Sequence, residues 1–465
     1  MAEAEIYDAL VIGSGQGGTP LSRTLAEAGL RTALIEREHV GGTCVNEGCT
    51  PTKTMVASAR VAYLARRGAD FGLNATSIHI DMEKVRERKR VIVDQFRNGS
   101  QARLEKTRGL DLIFGEAHML PKSPPAERTH PVRVVTKSGV RLLTAPKIFI
   151  NVGTRATVPH IPGLAAAPFL DNKSIMELDA VPEHLLILGG GYIGVEFGQM
   201  FRRFGSRVTI MQRSERLLTS EDPDVADEIA KILREDGIDL LLSAQATRVS
   251  STPGNISLEV SSQGSTAIVQ GSHLLVATGR APNSDSLEVK AAGIATDARG
   301  WIQSNHRLET NIPGIWVLGD VKGGPMFTHI SYDDFRVLKA NVLEGKSASI
   351  DGRMVPYTVF LDPQLGRIGM TEEQARGSGK MVLVFKMPSN RVARALEMDE
   401  PRGFWKAVVD EQSGQILGAA ILSIEGGEIM AALQSAMMGK LPYPRLRDGI
   451  WAHPTLAEGF NNLFV

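Results

Sequence analysis

Cysteine is scarce in this chain: only Cys44 and Cys49 occur among 465 residues, and they lie five positions apart. Two cysteines are too few for a framework of structural disulfides in a chain of this size. A zinc site would need two further ligands, and no histidine or other cysteine stands near the pair at metal-ligand spacing. We therefore expect no metal site and no disulfide scaffold. A redox pair is the favoured interpretation, and two buried thiols that happen to be close are the alternative.

Net charge is also lacking, because 52 basic side chains balance 52 acidic ones. Without an excess of either sign, the chain has no overall field to attract nucleic acid or a membrane surface. No apolar run is long enough to span a bilayer, and the first residues have no basic segment typical of an export signal. We expect a soluble, cytoplasmic protein of more than one domain, with no nucleic acid or membrane partner.

Two segments of the chain follow the same plan of strand, glycine-rich turn, helix and strand. They cover residues 6–36 and 184–212, with Gly-x-Gly-x-x-Gly spacing between the first strand and the helix. In such a turn the glycines allow a tight bend and close approach of a pyrophosphate to the helix N-terminus. Two such βαβ motifs predict two dinucleotide sites. Their glycines are Gly13, Gly15 and Gly18 in the first motif and Gly189, Gly191 and Gly194 in the second.

The second strands of the two motifs end differently. The first ends at Glu36, placed to accept hydrogen bonds from an adenosine ribose. The second ends with neutral Gln212, followed by Arg213 and Arg216. Loss of the carboxylate removes repulsion of a 2′-phosphate, and an arginine can bind that phosphate with two hydrogen bonds. The second site therefore favours NADPH over NADH, with solvated surface arginines as the alternative.

The remaining segments extend this plan. Residues 77–110 look like long charged helices, and residues 145–156 and 271–283 look like strands that cross between two nucleotide domains. An apolar strand at 312–321 ends in Gly319-Asp320, and alternating strands and helices follow beyond residue 347. The prediction is an α/β protein with an α+β C-terminal domain. We expect residues 1–150 with 276–346, residues 151–275 and residues 347–465 to form three domains.

Six segments together resemble the flavoprotein disulfide reductases, the class I pyridine nucleotide-disulfide oxidoreductases. They are GSGQGG, GGTCVNEGCTPTK, GGGYIGVEFG, VATGRAPN, VLGDV and HPTLAE, in that order along the chain. Glutathione reductase, dihydrolipoamide dehydrogenase and mercuric reductase belong to this family. The resemblance implies a Rossmann-like domain with FAD on the first βαβ motif, a second with the nicotinamide nucleotide, and a C-terminal domain that forms a homodimer.

The resemblance also assigns residues to the cofactors. Lys53 is expected near the flavin N5 and paired with Glu196, with a surface lysine as the alternative. Tyr192 is expected as an aromatic gate over the flavin, with simple core packing as the alternative. Asp320 is expected to bind the ribityl chain. The positions implied for FAD are Gly13, Gly15, Gly18, Glu36, Gly42, Thr43, Lys53, Gly153, Gly279 and Asp320, and those for NADPH are Gly189, Gly191, Gly194, Gln212, Arg213 and Arg216.

In the family's scheme Cys49 faces the flavin and Cys44 attacks the substrate. The spacing itself favours a labile disulfide. Residues five apart in a regular helix have Cα atoms roughly 8–9 Å apart, whereas a disulfide needs about 4.4–6.8 Å. If this segment is helical, it must be distorted, and Gly48 offers the necessary backbone freedom.

The attacking thiol needs a base, since an ordinary thiol is mostly protonated at neutral pH. His453 is the candidate, with Glu458 to orient its imidazole. In the family this pair comes from the partner subunit, so the active site is shared across the homodimer. A turn histidine without a catalytic role is the alternative.

Departures from the family's patterns narrow the substrate. No further cysteine precedes Val465, although mercuric reductases carry a C-terminal pair, and an acid is missing where NAD-linked lipoamide dehydrogenases have one. The usual Ala-Thr-Gly reads Asn151-Val152-Gly153, which the sequence does not explain. We expect an NADPH-dependent reductase of a disulfide or another thiol-reactive substrate. The alternatives are a Hg(II) or Cu(II) reductase, a dihydrolipoamide dehydrogenase and, outside the enzymes, a flavin-bearing redox sensor.

Overall fold

The computed structural model describes residues 4–74, 77–121 and 129–465. The chain folds into two compact units, and each is built from three separate stretches. The first unit comprises Met1–Thr54, Arg86–Thr157 and Arg280–Arg353, and the second comprises Met55–Val85, Val158–Gly279 and Met354–Val465. The division into three domains stays a prediction. Among the described residues, no helix is both long and apolar enough to cross a membrane.

The N-terminal stretch forms the first predicted βαβ motif. Its strands are fully buried and almost entirely apolar, as expected for parallel strands covered on both faces. Leu21 and Leu25 form the buried face of the intervening helix. The elements are β1 (Glu5–Ile6), β2 (Ala9–Ile12), α1 (Gly18–Glu27), β3 (Thr32–Glu36), α2 (Gly42–Asn46), α3 (Cys49–Arg66), α4 (Met82–Glu105) and β4 (Leu110–Phe114). The charged segment 77–110 thus contains a single long helix, α4, where several were expected.

A small set of antiparallel strands and two connecting strands follow. They are β5 (Glu116–Met119), β6 (His130–Thr136), β7 (Gly139–Ala145), β8 (Lys147–Ile150) and β9 (Thr154–Ala156). The segment from 122 to 128 lies outside the described residues.

The second βαβ motif forms as the sequence predicts. Its elements, and those that complete this part of the chain, are β10 (Phe169–Leu170), β11 (His184–Leu188), α5 (Tyr192–Phe204), β12 (Arg207–Met211), α6 (Pro223–Glu235), β13 (Ile238–Leu241), β14 (Ala244–Thr252), β15 (Asn255–Ser262), β16 (Ser265–Gly271) and β17 (His273–Val276).

The last third of the chain completes both units. The elements are β18 (Arg280–Pro282), β19 (Ile315–Val317), α7 (Thr328–Val342), β20 (Tyr357–Val359), β21 (Gln364–Gly369), α8 (Glu372–Gly377), β22 (Val382–Pro388), α9 (Ala393–Glu397), β23 (Phe404–Asp410), β24 (Ile416–Ser423), α10 (Gly426–Met438), α11 (Tyr443–Arg447) and α12 (Phe460–Leu463). Short 3₁₀ turns occur at Gly68–Phe71, Leu164–Ala166, Ser174–Glu177, Asp320–Lys322, Ser389–Arg391 and Ala457–Gly459.

Each unit contains a parallel five-stranded sheet with the same strand arrangement at its centre. The order is β19-β8-β2-β3-β4 in the first unit and β10-β17-β11-β12-β13 in the second. In both sheets, the strand before the glycine turn is the central one. It is β2, between β8 and β3, in the first unit, and β11, between β17 and β12, in the second. The registers make Asn151 equivalent to Ala277 and Glu36 equivalent to Gln212. Ligands of such sheets bind at the carboxyl ends of the strands, where these residues lie.

The second unit also contains the C-terminal α+β segment. Its antiparallel sheet has the order β20-β21-β24-β23-β22. Helix α10 packs closely on this sheet, since a Cβ atom at Gly366 would lie 2.2 Å from the carbonyl oxygen of Gly426. Trp405 and Phe460 are buried in its core with their rings 5.6 Å apart. Two dinucleotide-type sheets and an α+β segment confirm the predicted fold class.

Candidate active site and nucleotide-binding turns

The two cysteines lie on different helices. Cys44 is in the short helix α2, and Cys49 is the first residue of α3, with Glu47 and Gly48 between the helices. A Cβ atom at Gly48 would lie 2.9 Å from the carbonyl oxygen of Thr43, so the close return of the chain requires glycine here. As the spacing requires of a pair that can form a disulfide, no single regular helix carries both cysteines, and the labile disulfide stays a prediction.

The surroundings of the two thiols differ. The two cysteines are not bonded to each other in this structure, and Cys49 is exposed while Cys44 is partly buried. A hydrogen bond with Cys49, together with burial, raises the pKa of Cys44, and the Thr328 hydroxyl opposes this rise. Cys49 Sγ also lies 3.3 Å from Thr328 Oγ1 at the start of α7. The Cys44 thiol thus stays protonated unless a base removes its proton.

Glu36 joins the first glycine turn to the cysteine segment through Ser14. The backbone N–H and the hydroxyl of Ser14 both donate to Glu36 Oε2, at 3.0 and 2.6 Å. Ser14 Oγ in turn accepts a hydrogen bond of 3.1 Å from the N–H of Gly41. A Cβ atom at Gly42 would lie 2.7 Å from the Cα of Gly15, so the cysteine segment packs directly on the turn. The cysteine segment and the first glycine turn thus lie together within the first unit.

The turn itself leaves no room for side chains. Gly13 has a positive φ of 99°, and a Cβ atom there would lie 2.4 Å from the carbonyl oxygen of Asn151. A Cβ atom at Gly18 would lie 2.1 Å from the carbonyl oxygen of Gly13. Such close packing of strand, turn and helix is what a dinucleotide pyrophosphate requires.

Asn151 is a buried residue at the end of β8 whose side chain occupies the inner side of this turn. With its amide oxygen toward the turn, it accepts hydrogen bonds from the N–H groups of Gly15 and Gly18, at 3.2 and 3.0 Å. Its amide nitrogen donates to the carbonyl oxygen of Leu318, at 3.2 Å. The departure at Asn151-Val152-Gly153 thus has a structural explanation: the asparagine fastens the glycine turn to β8 and β19.

Asp320 follows β19 and Gly319 in the same unit. Burial raises the pKa of its carboxyl group, while the charges of Arg280 and Lys322 lower it. A buried carboxylate with two cations nearby suits hydrogen bonding to ligand hydroxyl groups. The crowded glycine turn, Glu36 and Asp320 lie at the carboxyl ends of one parallel sheet, and these residues fit FAD.

The second glycine turn has the same shape as the first. Gly189 has a φ of 111°, and a Cβ atom there would lie 2.4 Å from the carbonyl oxygen of Ala277. The N–H of Gly190 donates to Gln212 Oε1 at 2.9 Å, as the N–H of Ser14 donates to Glu36. Gln212 therefore keeps the hydrogen bond that shapes the turn and removes the negative charge.

The two arginines after Gln212 are both exposed. Arg216 forms an ion pair with Asp227, with 2.9 Å between Nε and Oδ1. Both side chains stay within reach of solvent, as a phosphate site at the surface requires.

Glu196 and Tyr192 lie on α5 in the second unit, whereas Lys53 lies on α3 in the first. Glu196 is buried and accepts a hydrogen bond of 2.7 Å from the N–H of Phe360. The pairing of Lys53 with Glu196 stays a prediction. Tyr192 is held by hydrogen bonds of its hydroxyl group to Ser220 and Glu221.

His453 and Glu458 lie together near the C-terminus, as the sequence predicts. His453 Nδ1 is 2.8 Å from Glu458 Oε2. The His453 side chain is 73% exposed and that of Glu458 only 16%. A hydrogen bond at Nδ1 leaves Nε2 directed away from the carboxylate, so an exposed imidazole is available to a further group.

The remaining predicted positions are glycines and one threonine. Gly153 and Gly279 have positive φ values of 65° and 130°. Thr43 lies in α2, next to Cys44. In the described part of the chain, no three histidine, cysteine, aspartate or glutamate side chains form a group able to hold a metal ion.

Sequence reasoning missed three residues of these sites: Ser14, Asn151 as a turn residue, and Thr328. Ser14 has a weak signal, because it stands inside the glycine motif. Thr328 has none, since its contact with Cys49 joins positions far apart in the chain.

Comparisons with known proteins cover nearly the whole chain. Residues 7–334 match the family described as pyridine nucleotide-disulphide oxidoreductase, and residues 355–464 match its dimerisation domain. The probable pyridine nucleotide-disulfide oxidoreductase RclA of Escherichia coli is 40% identical over 462 residues, covering 98% of each chain. Mercuric reductase of Staphylococcus aureus is 34% identical over 97% of this chain and 81% of its own. Dihydrolipoyl dehydrogenase of Haloferax volcanii is 32% identical over 97% of this chain and 94% of its own.

Solved structures give the same result. The Cu(II) complex of the HOCl-induced flavoprotein disulfide reductase RclA from Escherichia coli has a TM-score of 0.89 at 40% identity, covering 99% of both chains. LpdA from Mycobacterium tuberculosis has a TM-score of 0.88 at 22% identity, covering 98% of both chains, which shows the shared fold.

Proposed function

The chain belongs to the pyridine nucleotide-disulphide oxidoreductase family, and from this membership we propose that it passes electrons from NADPH to a thiol-reactive substrate through Cys44 and Cys49. The observation that carries the proposal is the direct packing of the cysteine segment on the first glycine turn. Gly41 is hydrogen-bonded to Ser14, and Gly42 lies against Gly15. A dithiol fixed beside a dinucleotide turn can exchange electrons with the bound cofactor.

FAD is the cofactor that the first unit fits, and when bound it accepts a hydride from the nicotinamide and yields two electrons to a disulfide. The glycine turn and Glu36 hold the ADP half, and Asp320 binds the ribityl chain. Gly42, Thr43, Lys53, Gly153 and Gly279 complete the proposed FAD contacts. Lys53 supplies a fixed positive charge. Tyr192 closes the nicotinamide position until the nucleotide enters.

The two thiols have separate roles in this proposal. Cys49, which lies beside the Thr328 hydroxyl, forms the thiolate nearer the flavin. Cys44 attacks the substrate, and because its pKa is raised it needs a base to remove the proton. His453 of the partner subunit takes that proton, and Glu458 orients the imidazole and stabilises its charge. For a disulfide substrate, one NADPH and one proton yield NADP⁺ and two thiols.

NADPH is proposed over NADH because of Gln212. Its neutral side chain keeps the hydrogen bond to Gly190 without repelling a 2′-phosphate. Arg213 and Arg216 then bind the phosphate. We further propose a cytoplasmic homodimer, because NADPH and reduced thiols belong to a reducing compartment and the chain includes the family's dimerisation domain. The proposed domains are residues 1–150 with 276–346 for FAD, 151–275 for NADPH and 347–465 for the dimer.

A second candidate function is reduction of a soft metal ion. RclA of Escherichia coli, a 40% identical relative, was solved as a Cu(II) complex, and mercuric reductases are relatives at 34% identity. Two thiolates bind soft ions well. Oxidation of the dithiol to a disulfide releases two electrons, enough to reduce two Cu(II) ions to Cu(I) or one Hg(II) ion to Hg(0).

Anaerobic titration of the FAD-loaded protein with NADPH tests the proposal. We expect the wild type to consume about two equivalents, one for the flavin and one for the disulfide, because each is a two-electron couple. Cys44→Ser should consume about one equivalent and still bind FAD. The reduced wild type is then mixed in separate experiments with a small disulfide, with Cu(II) and with Hg(II). The compound that reoxidises the protein is the substrate. Consumption of one equivalent by the wild type, with the flavin fully reduced and the disulfide still intact, would contradict the dithiol relay.

A further inference from the structure

A buried carboxylate, Glu221, lies against the side chain of Tyr192 in the second unit. The Tyr192 hydroxyl donates to Glu221 Oε1 at 3.1 Å and lies 2.8 Å from Ser220 Oγ. Because a phenol has a single proton to donate, the Ser220 hydroxyl is the donor in the second bond. Burial raises the pKa of Tyr192, so its hydroxyl stays protonated and able to donate. Hydrogen bonds with Glu221 and Ser220 therefore help to hold the first residue of α5 in its position.

A second tyrosine shares the same oxygen. The Tyr357 hydroxyl donates to Glu221 Oε1 at 2.5 Å, and the two tyrosine rings lie 5.6 Å apart. The other oxygen, Oε2, lies 3.4 Å from Nε of Arg367, which is almost fully buried. Burial raises the pKa of Glu221, and the bond from Tyr357 and the charge of Arg367 both oppose this rise. The carboxylate thus has partners that do not depend on Tyr192.

This sharing determines what movement of Tyr192 would cost. If Tyr192 leaves, Glu221 Oε1 keeps the bond from Tyr357, and Oε2 keeps the charge of Arg367. Ser220 is exposed, so its hydroxyl can bond to water instead. A buried carboxylate oxygen left without a partner is costly, and the second tyrosine avoids that cost. Movement of Tyr192 would therefore remove one hydrogen bond from Glu221 Oε1 and leave the other, from Tyr357, in place.

The position of Glu221 is fixed by its neighbours on both sides. Leu218 donates its N–H to the carbonyl oxygen of Gly190 in the second glycine turn, and Glu221 donates its N–H to Leu218. Asp222 accepts from the N–H of Glu372 at 3.0 Å and lies 3.4 Å from the buried ammonium group of Lys406. The carboxylate is thus held at a fixed distance from the turn that binds the nucleotide.

We propose that Glu221 is a positioning residue that latches Tyr192 in its closed position, with Tyr357 as the group that satisfies Glu221 when the latch opens. This inference rests on the proposed role of Tyr192 as the gate for the nicotinamide. The nicotinamide enters only when the Tyr192 side chain has moved to its open position. A larger fraction of molecules with Tyr192 closed therefore raises the apparent dissociation constant for NADPH. The C-terminal segment, through Tyr357 and Arg367, therefore takes part in nucleotide entry.

The latch predicts opposite effects for two small changes. Tyr192→Phe removes the hydrogen bonds of its hydroxyl group with Glu221 and Ser220 and should lower the apparent dissociation constant for NADPH about five- to tenfold, since one net hydrogen bond is worth about that factor. Tyr357→Phe leaves Glu221 Oε1 with no donor once Tyr192 moves, so the constant should rise about three- to fivefold. Glu221→Gln weakens the latch and should lower the constant. The limiting rate of flavin reduction should change less than twofold for Glu221→Gln and Tyr357→Phe.

Single-turnover reduction of the FAD-loaded protein by NADPH measures both quantities, and titration of the oxidised protein with NADP⁺ gives an equilibrium affinity. The matched ligand is 2′,5′-ADP, which has the adenosine 2′-phosphate and one 5′-phosphate but no nicotinamide, so its dissociation constant should be the same in every variant. Glu235→Gln, an exposed glutamate at the end of α6, is the matched control variant. The double variant Tyr192→Phe/Glu221→Gln should match Tyr192→Phe alone, because Glu221 acts through the Tyr192 hydroxyl.

The possible outcomes separate the latch from the proposed function. If NADPH reduces the flavin but all three single variants bind it as the wild type does, the latch is wrong and the redox role stands. Independent, additive effects in the double variant would also overturn the latch. If neither NADP⁺ nor 2′,5′-ADP binds, the NADPH assignment is wrong, and the same comparison with NAD⁺ and ADP-ribose decides on the latch.

Discussion

Asn151 illustrates how one side chain can adapt a common turn. Its amide oxygen accepts from the N–H groups of Gly15 and Gly18 and its amide nitrogen donates to the carbonyl oxygen of Leu318. Ala277 occupies the equivalent position in the second unit. Alanine has no polar atom with which to make such bonds. The first turn is therefore fastened to β8 and β19 in a way that the second cannot be. A turn fixed before the cofactor arrives loses less conformational freedom on binding.

We expect Asn151→Ala to weaken FAD binding. The loss of about two hydrogen bonds from a buried site corresponds to about a 10- to 50-fold higher dissociation constant. FAD release, followed by the rise in flavin fluorescence on dilution, measures it. Asn98→Ala, an exposed asparagine on α4 of the same unit, is the control and should retain FAD like the wild type. Retention of FAD by Asn151→Ala at wild-type affinity would show that the turn does not need the asparagine.

At this scale the sequence predicts residues that belong to motifs. The glycines and the cysteine pair are predicted from the sequence because their spacing itself indicates the chemistry. Ser14, Thr328 and Glu221 were not, because each acts through a contact between positions far apart in the chain. In the sequence, Asn151 differs from the family's pattern without an evident reason. Its hydrogen-bond partners follow only from the position of β8 beside the strand that leads into the turn.

The two βαβ motifs have different residues at equivalent positions after the same kind of strand. Glu36 and Gln212 both end the second strand of their motif, and both accept a hydrogen bond from the residue after the first glycine. The oxygen that shapes the turn is thus kept, while the charge differs. The selectivity proposed for the second turn depends on that difference in charge and on Arg213. The shape of the turn is common to both motifs, so it does not distinguish the two nucleotides.

We expect Gln212→Glu combined with Arg213→Ala to shift the preference toward NADH. Loss of a charged hydrogen bond to the 2′-phosphate and the added repulsion should reduce kcat/KM for NADPH about 10- to 100-fold. The value for NADH should change little or rise. The ratio of the two kcat/KM values measures the shift, and Arg234→Ala, an exposed arginine on α6, is the control. An unchanged ratio would place the phosphate elsewhere.

Element boundaries were predicted less well than element types. The sequence argument required a distorted segment between Cys44 and Cys49, and the structure has two helices that meet at Gly48. The argument could not say that Cys49 begins a helix of 18 residues. Charge patterns in residues 77–110 suggested several helices, since an exposed helix has little apolar periodicity to define its ends, and one helix, Met82–Glu105, is found.

At the scale of the whole molecule, the order of segments predicted the architecture. Paired βαβ motifs followed by alternating strands and helices gave the two parallel sheets and the antiparallel C-terminal sheet. The sequence could not give the division into two compact units, each made of three stretches. Such a division depends on which chain segments pack together, and local patterns do not record this.

The proposed dimer predicts that two inactive variants restore activity when mixed. Cys44→Ser lacks the attacking thiol, and His453→Ala lacks the base, so each homodimer should be inactive or slowed about 10²–10⁴-fold. If His453 serves the Cys44 of its partner, a mixed dimer has one intact site and one site with both defects. Random reassembly of equal amounts makes half the dimers mixed, and activity with a small disulfide should recover to about a quarter of the wild type.

Recovery should follow subunit exchange, and an equal mixture of Cys44→Ser with Cys49→Ser is the control, because no mixed dimer of that pair has an intact dithiol. If mixing restores nothing although mass spectrometry detects mixed dimers, His453 does not act across the subunit interface.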